Sequence, residues 1–175
     1  MYAQYHKGDL VVDAIAQETR NAVSCEFCTQ RKAALSPYNV PGEHSHDGKL
    51  SPRAVDAVHR IITDQGCITR AWVEDNTAHG LSEEHYVELL GIAVTVFSID
   101  EFNRTLGLAL EPLPEPQPGE PDHYRPTLAE HGTGFVPMLP PRGAVNDESD
   151  LWQAGRWTNR APKCDQLSPM FATGG

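Results

Sequence analysis

The chain has 175 residues, with 14 Lys plus Arg against 24 Asp plus Glu and a formal charge of -10. That length suits one domain with an appendage, and the acidic balance excludes a nucleic-acid phosphate reader, which needs a basic face. No run approaches the roughly 20 apolar residues of a membrane span, and the polar start MYAQYHKGD lacks a signal-peptide core, so the reading is a cytoplasmic protein with no membrane partner.

Residues 10 to 106 read as helices. The stretch 10–21 is denser in apolar residues than a one-faced surface helix needs, which makes it core. Asp13 stands inside that run, and a carboxylate buried there costs several kcal/mol, on the order of a lost ion pair, unless a neighbour uses it. Glu18, the other acid of the segment, reads as a surface charge. Ser24 serves as N-cap for a helix over 25–35 that the prolines and glycine of SPYNVPG end. PGEHSHDGK is a polar loop.

Ser51 caps the next helix, with Pro52 at its first position and apolar residues at helical spacing through Ile62. His59, on this helix over 52–64, reads as a packed or partly exposed residue rather than a ligand. CITRAWVEDNTAHG forms a shorter helix closed by Gly80, with Trp72 as core or interface and His79 at a C-terminus that favours partial positive charge. Ser82 caps the longest helix, LSEEHYVELLGIAVTVFSIDEFNRTLG, and Gly107 suits its C-terminal cap.

Composition changes at residue 111. Nine prolines fall between Pro112 and Pro141. Proline at that density sustains neither helix nor central strand, so 111–142 reads as an extended arm. Phe135, Val136, Met138 and Leu139 interrupt it with apolar groups that a free linker has no reason to carry; an arm laid across a subunit and a disordered tail are both compatible. Residues 143–175 are weakly patterned. The expected division is 1–110 helical, 111–142 arm and 143–175 C-terminal segment.

The four cysteines, Cys25, Cys28, Cys67 and Cys164, are too unevenly spaced for a secreted disulfide framework. Cys25 and Cys28, three apart in a first helical turn, can reach one another to form a disulfide, and a helix N-terminus stabilises a thiolate. An unperturbed thiol with a pKa near 8.5 is only about 3% ionised at pH 7; lowering it to about 7 makes it half ionised. Zinc binding is a competing reading, but it needs four ligands, and His44 and His46 would have to fold back from their loop to help. Two inert core cysteines are another. Lys32, four residues after Cys28, lies on the same helix face one turn on, where its ammonium can hold a thiolate.

With the C-x-x-C motif in CEFCTQRKAAL and the helix and proline run of LSEEHYVELLGIAVTVFSIDEFNRTLGLALEPLPEPQPGEP, the chain resembles the carboxymuconolactone decarboxylase and AhpD-like alkylhydroperoxidase superfamily over residues 10–142. The resemblance implies an all-α AhpD-like helical bundle that forms a homo-oligomer, a neighbouring subunit completing the core. It also implies a peroxidase cycle that needs no cofactor and no metal. Cys28 would attack a hydroperoxide and become a sulfenic acid, Cys25 would resolve it to a disulfide, and a thiol or protein reductant would reopen it. In the peroxidase branch a glutamate on the preceding helix and a histidine four residues after the second cysteine relay the proton; here Asp13 and Lys32 stand at those positions, and Phe27 where another histidine is frequent. The expected catalytic set is Cys28, Cys25, Asp13 and Lys32. The alternatives are a non-catalytic helical oligomer that binds a small molecule or protein, and a decarboxylase-type activity, although that branch lacks the cysteine pair.

Overall fold

A computed structural model describes residues 8–113 and 126–140. The chain divides into two units, Met1–His123 and Tyr124–Gly175. The described part of the first unit contains five α-helices: α1 (Gly8–Val23), α2 (Glu26–Ala33), α3 (Pro52–Thr63), α4 (Arg70–Ala78) and α5 (Glu83–Thr105). Short 3-10 turns lie at Pro37–Asn39 and Gln65–Cys67. Among the described residues there is no strand beyond one isolated antiparallel bridge, so the all-α reading holds at that level.

Helices α1, α3 and α5 pack on one another and hold the core. The inner stripe of α1 carries Ala14, Ile15, Glu18, Thr19 and Ala22, recurring at the three- and four-residue spacing of one helix face. Thr19 tolerates burial because its hydroxyl donates to the Ile15 carbonyl at 2.8 Å. The facing row of α3 is Ala54, Val55, Val58, Ile61 and Ile62, and α5 contributes Tyr86, Leu89 and Ala93. Each fully buried aliphatic such as Ile15 or Leu89 contributes about 1.5–3 kcal/mol over its exposed state.

A forked ion pair sets the angle of α1 on α5. Arg20 donates from Nε and Nη2 to the two carboxylate oxygens of Asp100, at 2.9 and 2.8 Å, and from Nη2 to the Glu111 carbonyl at 2.7 Å. Asp100 is buried near the far end of α5, so the fork fixes both helix register and the start of the proline-bearing segment.

The caps follow the sequence closely. The Ser51, Thr69 and Ser82 hydroxyls accept from the backbone N–H of Ala54, Trp72 and His85, each three residues on. Gly80 and Gly107 take positive φ, 101° and 70°, at the ends of α4 and α5. One cap moved. Helix α1 runs on to Val23, and Ser24 and Cys25 still donate to the carbonyls of Asn21 and Ala22, so Cys25 rather than Ser24 occupies the N-cap position of α2. No described helix is long and apolar enough to cross a membrane.

In the second unit, residues 126–140 make a small antiparallel contact in which Glu130 and Met138 exchange both backbone hydrogen bonds at 3.0 Å. The proline-rich stretch 114–125 and residues 141–175, where most of the expected arm and the expected C-terminal segment fall, lie outside the described residues.

Candidate active site

The tight turn between α1 and α2 brings Cys25 and Cys28 against α3. Both sulfurs are buried, and both are free thiols. Two histidines converge on them from residues far away in sequence. His59 of α3 sets Nδ1 3.2 Å from Cys28 Sγ, and His44, from the loop between α2 and α3, sets Nδ1 3.4 Å from Cys28 Sγ and 3.9 Å from Cys25 Sγ. The imidazole rings lie 4.2 Å apart, centroid to centroid.

Each histidine is oriented from behind by a carboxylate. His59 Nε2 bonds Glu18 Oε1 at 2.8 Å, with both side chains fully buried. His44 Nε2 bonds Asp56 Oδ1 at 3.1 Å. With Nε2–H donating to a carboxylate, Nδ1 faces the sulfurs. Asp56 in turn accepts from Arg31 Nη1, Arg60 Nε and Trp72 Nε1, at 3.3, 2.7 and 3.3 Å. The loop that carries His44 is seated by close packing at Gly42, where φ is +149° and an added Cβ would come within 2.7 Å of the Phe27 ring. That ring stands edge-on to His44 at 5.0 Å.

The electrostatics differ between the two histidines. Burial disfavours charge on His44, but the Asp56 carboxylate and the two sulfurs outweigh it and raise its pKa to about 10. His59 is pushed down to about 3 by burial and by the positive charge of His44. Burial also raises the Glu18 carboxyl, helped by the nearby charge of Asp47. The Glu18–His59 contact is therefore a hydrogen bond to a neutral imidazole, leaving the His59 Nδ1 lone pair turned to Cys28. At Cys25, burial opposes the thiolate. The backbone N–H of Cys28, the hydroxyl and N–H of Ser45, and the His44 ring overcome that, lowering its pKa to about 6.

A cleft of about 310 Å³ is lined by Cys25 and Cys28, with Ala22, Val23, Ile62 and Phe97 forming apolar wall and Lys32 and Glu101 at its polar side. A second cleft of about 460 Å³ is lined by His44 together with Phe27, Arg31, Asp56 and Arg60.

Of the four expected site residues, the two cysteines are together. Asp13 is half-buried on α1 and supplies none of the hydrogen bonds at the thiols, and Lys32 is an exposed residue lining the thiol cleft. The acid that reaches the site from α1 is Glu18, expected at the surface and found 1% exposed. The stripe explains it: Glu18 is three residues after Ile15 and four before Ala22, whereas Asp13 falls beside the stripe. His59, expected as packing, is the base-like partner of Cys28, and His44 rather than His46 folds back. His46 instead accepts from the Gly48 N–H at 3.0 Å within its own loop. Cys67 lies at the far end of α3, where its carbonyl accepts from Arg60, and Cys164 is outside the described residues.

No protein-family model, curated protein or solved structure matches the chain.

Proposed function

We propose that the protein is a dithiol redox enzyme that reduces hydroperoxides through Cys28 and Cys25. The observation that carries this reading is the buried chain Glu18–His59–Cys28, with steps of 2.8 and 3.2 Å, beside a second thiol of lowered pKa.

In the cycle, Cys28 passes its proton only transiently to His59 Nδ1, an uphill step while burial and the charge of His44 hold that imidazole neutral, and Glu18 stabilises the imidazolium as it forms. The thiolate attacks the outer peroxide oxygen, the O–O bond breaks, and the departing alkoxide takes the proton from His59, leaving an alcohol and the Cys28 sulfenic acid. The Cys25 thiolate then attacks the sulfenic sulfur, and hydroxide departs as water with a proton from the Nδ1–H of His44. Two thiols are oxidised to one disulfide and one hydroperoxide is reduced. An external thiol restores the pair by attacking Cys28 and expelling Cys25, whose lowered pKa makes it a good leaving group. The apolar wall of Ile62, Phe97 and Val23 favours organic hydroperoxides over hydrogen peroxide.

The all-helical fold and the C-x-x-C at a helix start are compatible with the AhpD-like superfamily, although the relay here is Glu18 and His59 rather than residues at the family positions. Homo-oligomer formation is part of the same reading. Helix α5 leaves Val87, Val94, Ile99 and Phe102 exposed, an apolar surface suited to a second copy.

Free-thiol count and intact mass, before and after one equivalent of cumene hydroperoxide, test the function. Loss of two thiols and two hydrogens in the wild type is expected, with a trapped sulfenic acid in Cys25→Ser and no rapid reaction in Cys28→Ser. Thiols that stay reduced would rule the activity out.

A further inference from the structure

The same convergence has a second chemical capacity. We infer that Cys25, Cys28, His44 and His59 form a closed four-ligand site for a divalent zinc ion, with Glu18 and Asp56 as its outer carboxylates. The inference stands on the geometry of the ligands and does not need the peroxide chemistry.

The four donor atoms all lie within 4.8 Å of one another. A tetrahedral zinc ion, with bonds of about 2.3 Å to sulfur and 2.0–2.1 Å to nitrogen, requires sulfur–nitrogen edges of about 3.5 Å. Three of the sulfur–nitrogen edges in the structure measure 3.2, 3.4 and 3.9 Å. An ion can enter that tetrahedron without moving a helix.

The directions of the rings matter as much as the distances. Both imidazoles present Nδ1 to the shared centre and commit Nε2 to a carboxylate, at 2.8 Å for Glu18 and 3.1 Å for Asp56. A carboxylate behind each ligating histidine fixes ring orientation and strengthens the donor nitrogen. One such pair is common in a hydrogen-bond network; two, both aimed at the same pair of sulfurs, describe a ligand cage.

Burial and charge select the ion. Cys25, Cys28 and His59 are buried and His44 is half-buried, so a net charge in the centre would be costly. Two thiolates cancel the charge of a divalent cation, and two sulfurs with two imidazole nitrogens suit zinc rather than magnesium or calcium, which take oxygen. Binding sends to solvent any proton still held on a sulfur or on the His44 Nδ1 and changes no oxidation state. While zinc holds both sulfurs they cannot join as a disulfide, so the metal-bound and oxidised forms exclude each other.

The test uses the full chain, reduced, stripped with a chelator, and titrated separately with zinc and with cobalt. We expect one equivalent per chain, and a cobalt adduct with the intense visible bands of a tetrahedral site and a thiolate charge-transfer band, bleached by zinc. Peroxide should remove thiols from the zinc-loaded protein at least tenfold more slowly than from the metal-free protein. Cys25→Ser and His44→Gln should each weaken binding at least tenfold, and Cys67→Ser should leave it unchanged. Helical circular dichroism checks each variant; should Cys25→Ser lose its fold, His44→Gln, on a loop, carries the comparison. Sub-stoichiometric binding, weak octahedral cobalt bands, or unweakened affinity in His44→Gln would overturn the site. If zinc binds as expected but metal-free thiols ignore peroxide, the zinc site stands and the peroxidase reading falls. If peroxide oxidises the pair and zinc does not bind, the reverse holds.

Discussion

Replacing Glu18 with glutamine separates the charge of the relay from its shape. The amide keeps a carbonyl acceptor for His59 Nε2 but removes the negative charge opposite the imidazolium that forms when Cys28 gives up its proton. The contact is 2.8 Å and neither side chain has any solvent exposure, so no screening discount applies. A hydrogen bond to a charged group contributes about 1.5–3 kcal/mol against about 0.5–1.5 for a neutral one, a difference of roughly 1–2 kcal/mol. At 1.4 kcal/mol per decade, Glu18→Gln should slow the oxidation of Cys28 about tenfold, while unfolding by urea changes little. Single-turnover thiol loss under excess cumene hydroperoxide measures the rate, and Asp13→Asn is the matched control. Asp13 makes none of the hydrogen bonds at the thiols, so its variant should react at the wild-type rate. An unchanged rate in Glu18→Gln, or an equal slowing in Asp13→Asn, would refute the relay assigned here.

Two further outcomes follow from the same structure. Arg20→Met leaves Asp100 buried without its fork, and should cost about 3 kcal/mol in urea unfolding, the low end for breaking a buried pair because Arg20 keeps 21% side-chain exposure and Arg104 stands 4.0 Å from Asp100; a change under 1 kcal/mol, on the scale of about one surface ion pair, would show that the fork does not fix α1 on α5. The Cys25 thiol, whose folded pKa of about 6 lies below the ordinary thiol range, stays ionised at neutral pH and becomes protonated as the pH falls through about 6. The thiolate absorbance difference between the wild type and Cys25→Ser should therefore titrate near pH 6, and the Cys25 contribution to stability, full above its ordinary value, should be lost as pH falls through that point. A midpoint near 9 would remove the electrostatic account of the resolving thiol.

The sequence by itself determined the elements and one half of the site. Ser51 with Pro52, Ser82, and the glycines after α4 and α5 act within three or four residues of chain, through a hydroxyl on a backbone N–H or a positive φ, and such local chemistry is readable without a fold. The pair Cys25 and Cys28 is equally local. The small shift of the cap from Ser24 to Cys25 came from α1 extending two residues beyond its expected end, where the propensities of Ala22 and Val23 carry no stop signal.

The tertiary structure alone decided which groups meet the thiols. Asp13 and Glu18 sit on the same helix, and a difference of five residues turns them to different faces, so the rotation of α1 about its axis chooses between them; Ile15 and Ala22, which flank Glu18 at helical spacing, were the signal. His59 lies among Ala57, Val58 and Ile61, where a histidine reads as packing, and it becomes a partner of Cys28 only because α3 crosses the start of α2. His44 and His46 share a loop with no periodicity to distinguish them, and the seat of that loop, Gly42 against Phe27 and His44 on Asp56, is made of contacts across elements. Side chains 31 and 41 residues apart, such as Cys28 with His59 and Glu18 with His59, are brought within 3.2 Å by helix packing, whose angles depend on the whole buried surface and on no single stretch of chain.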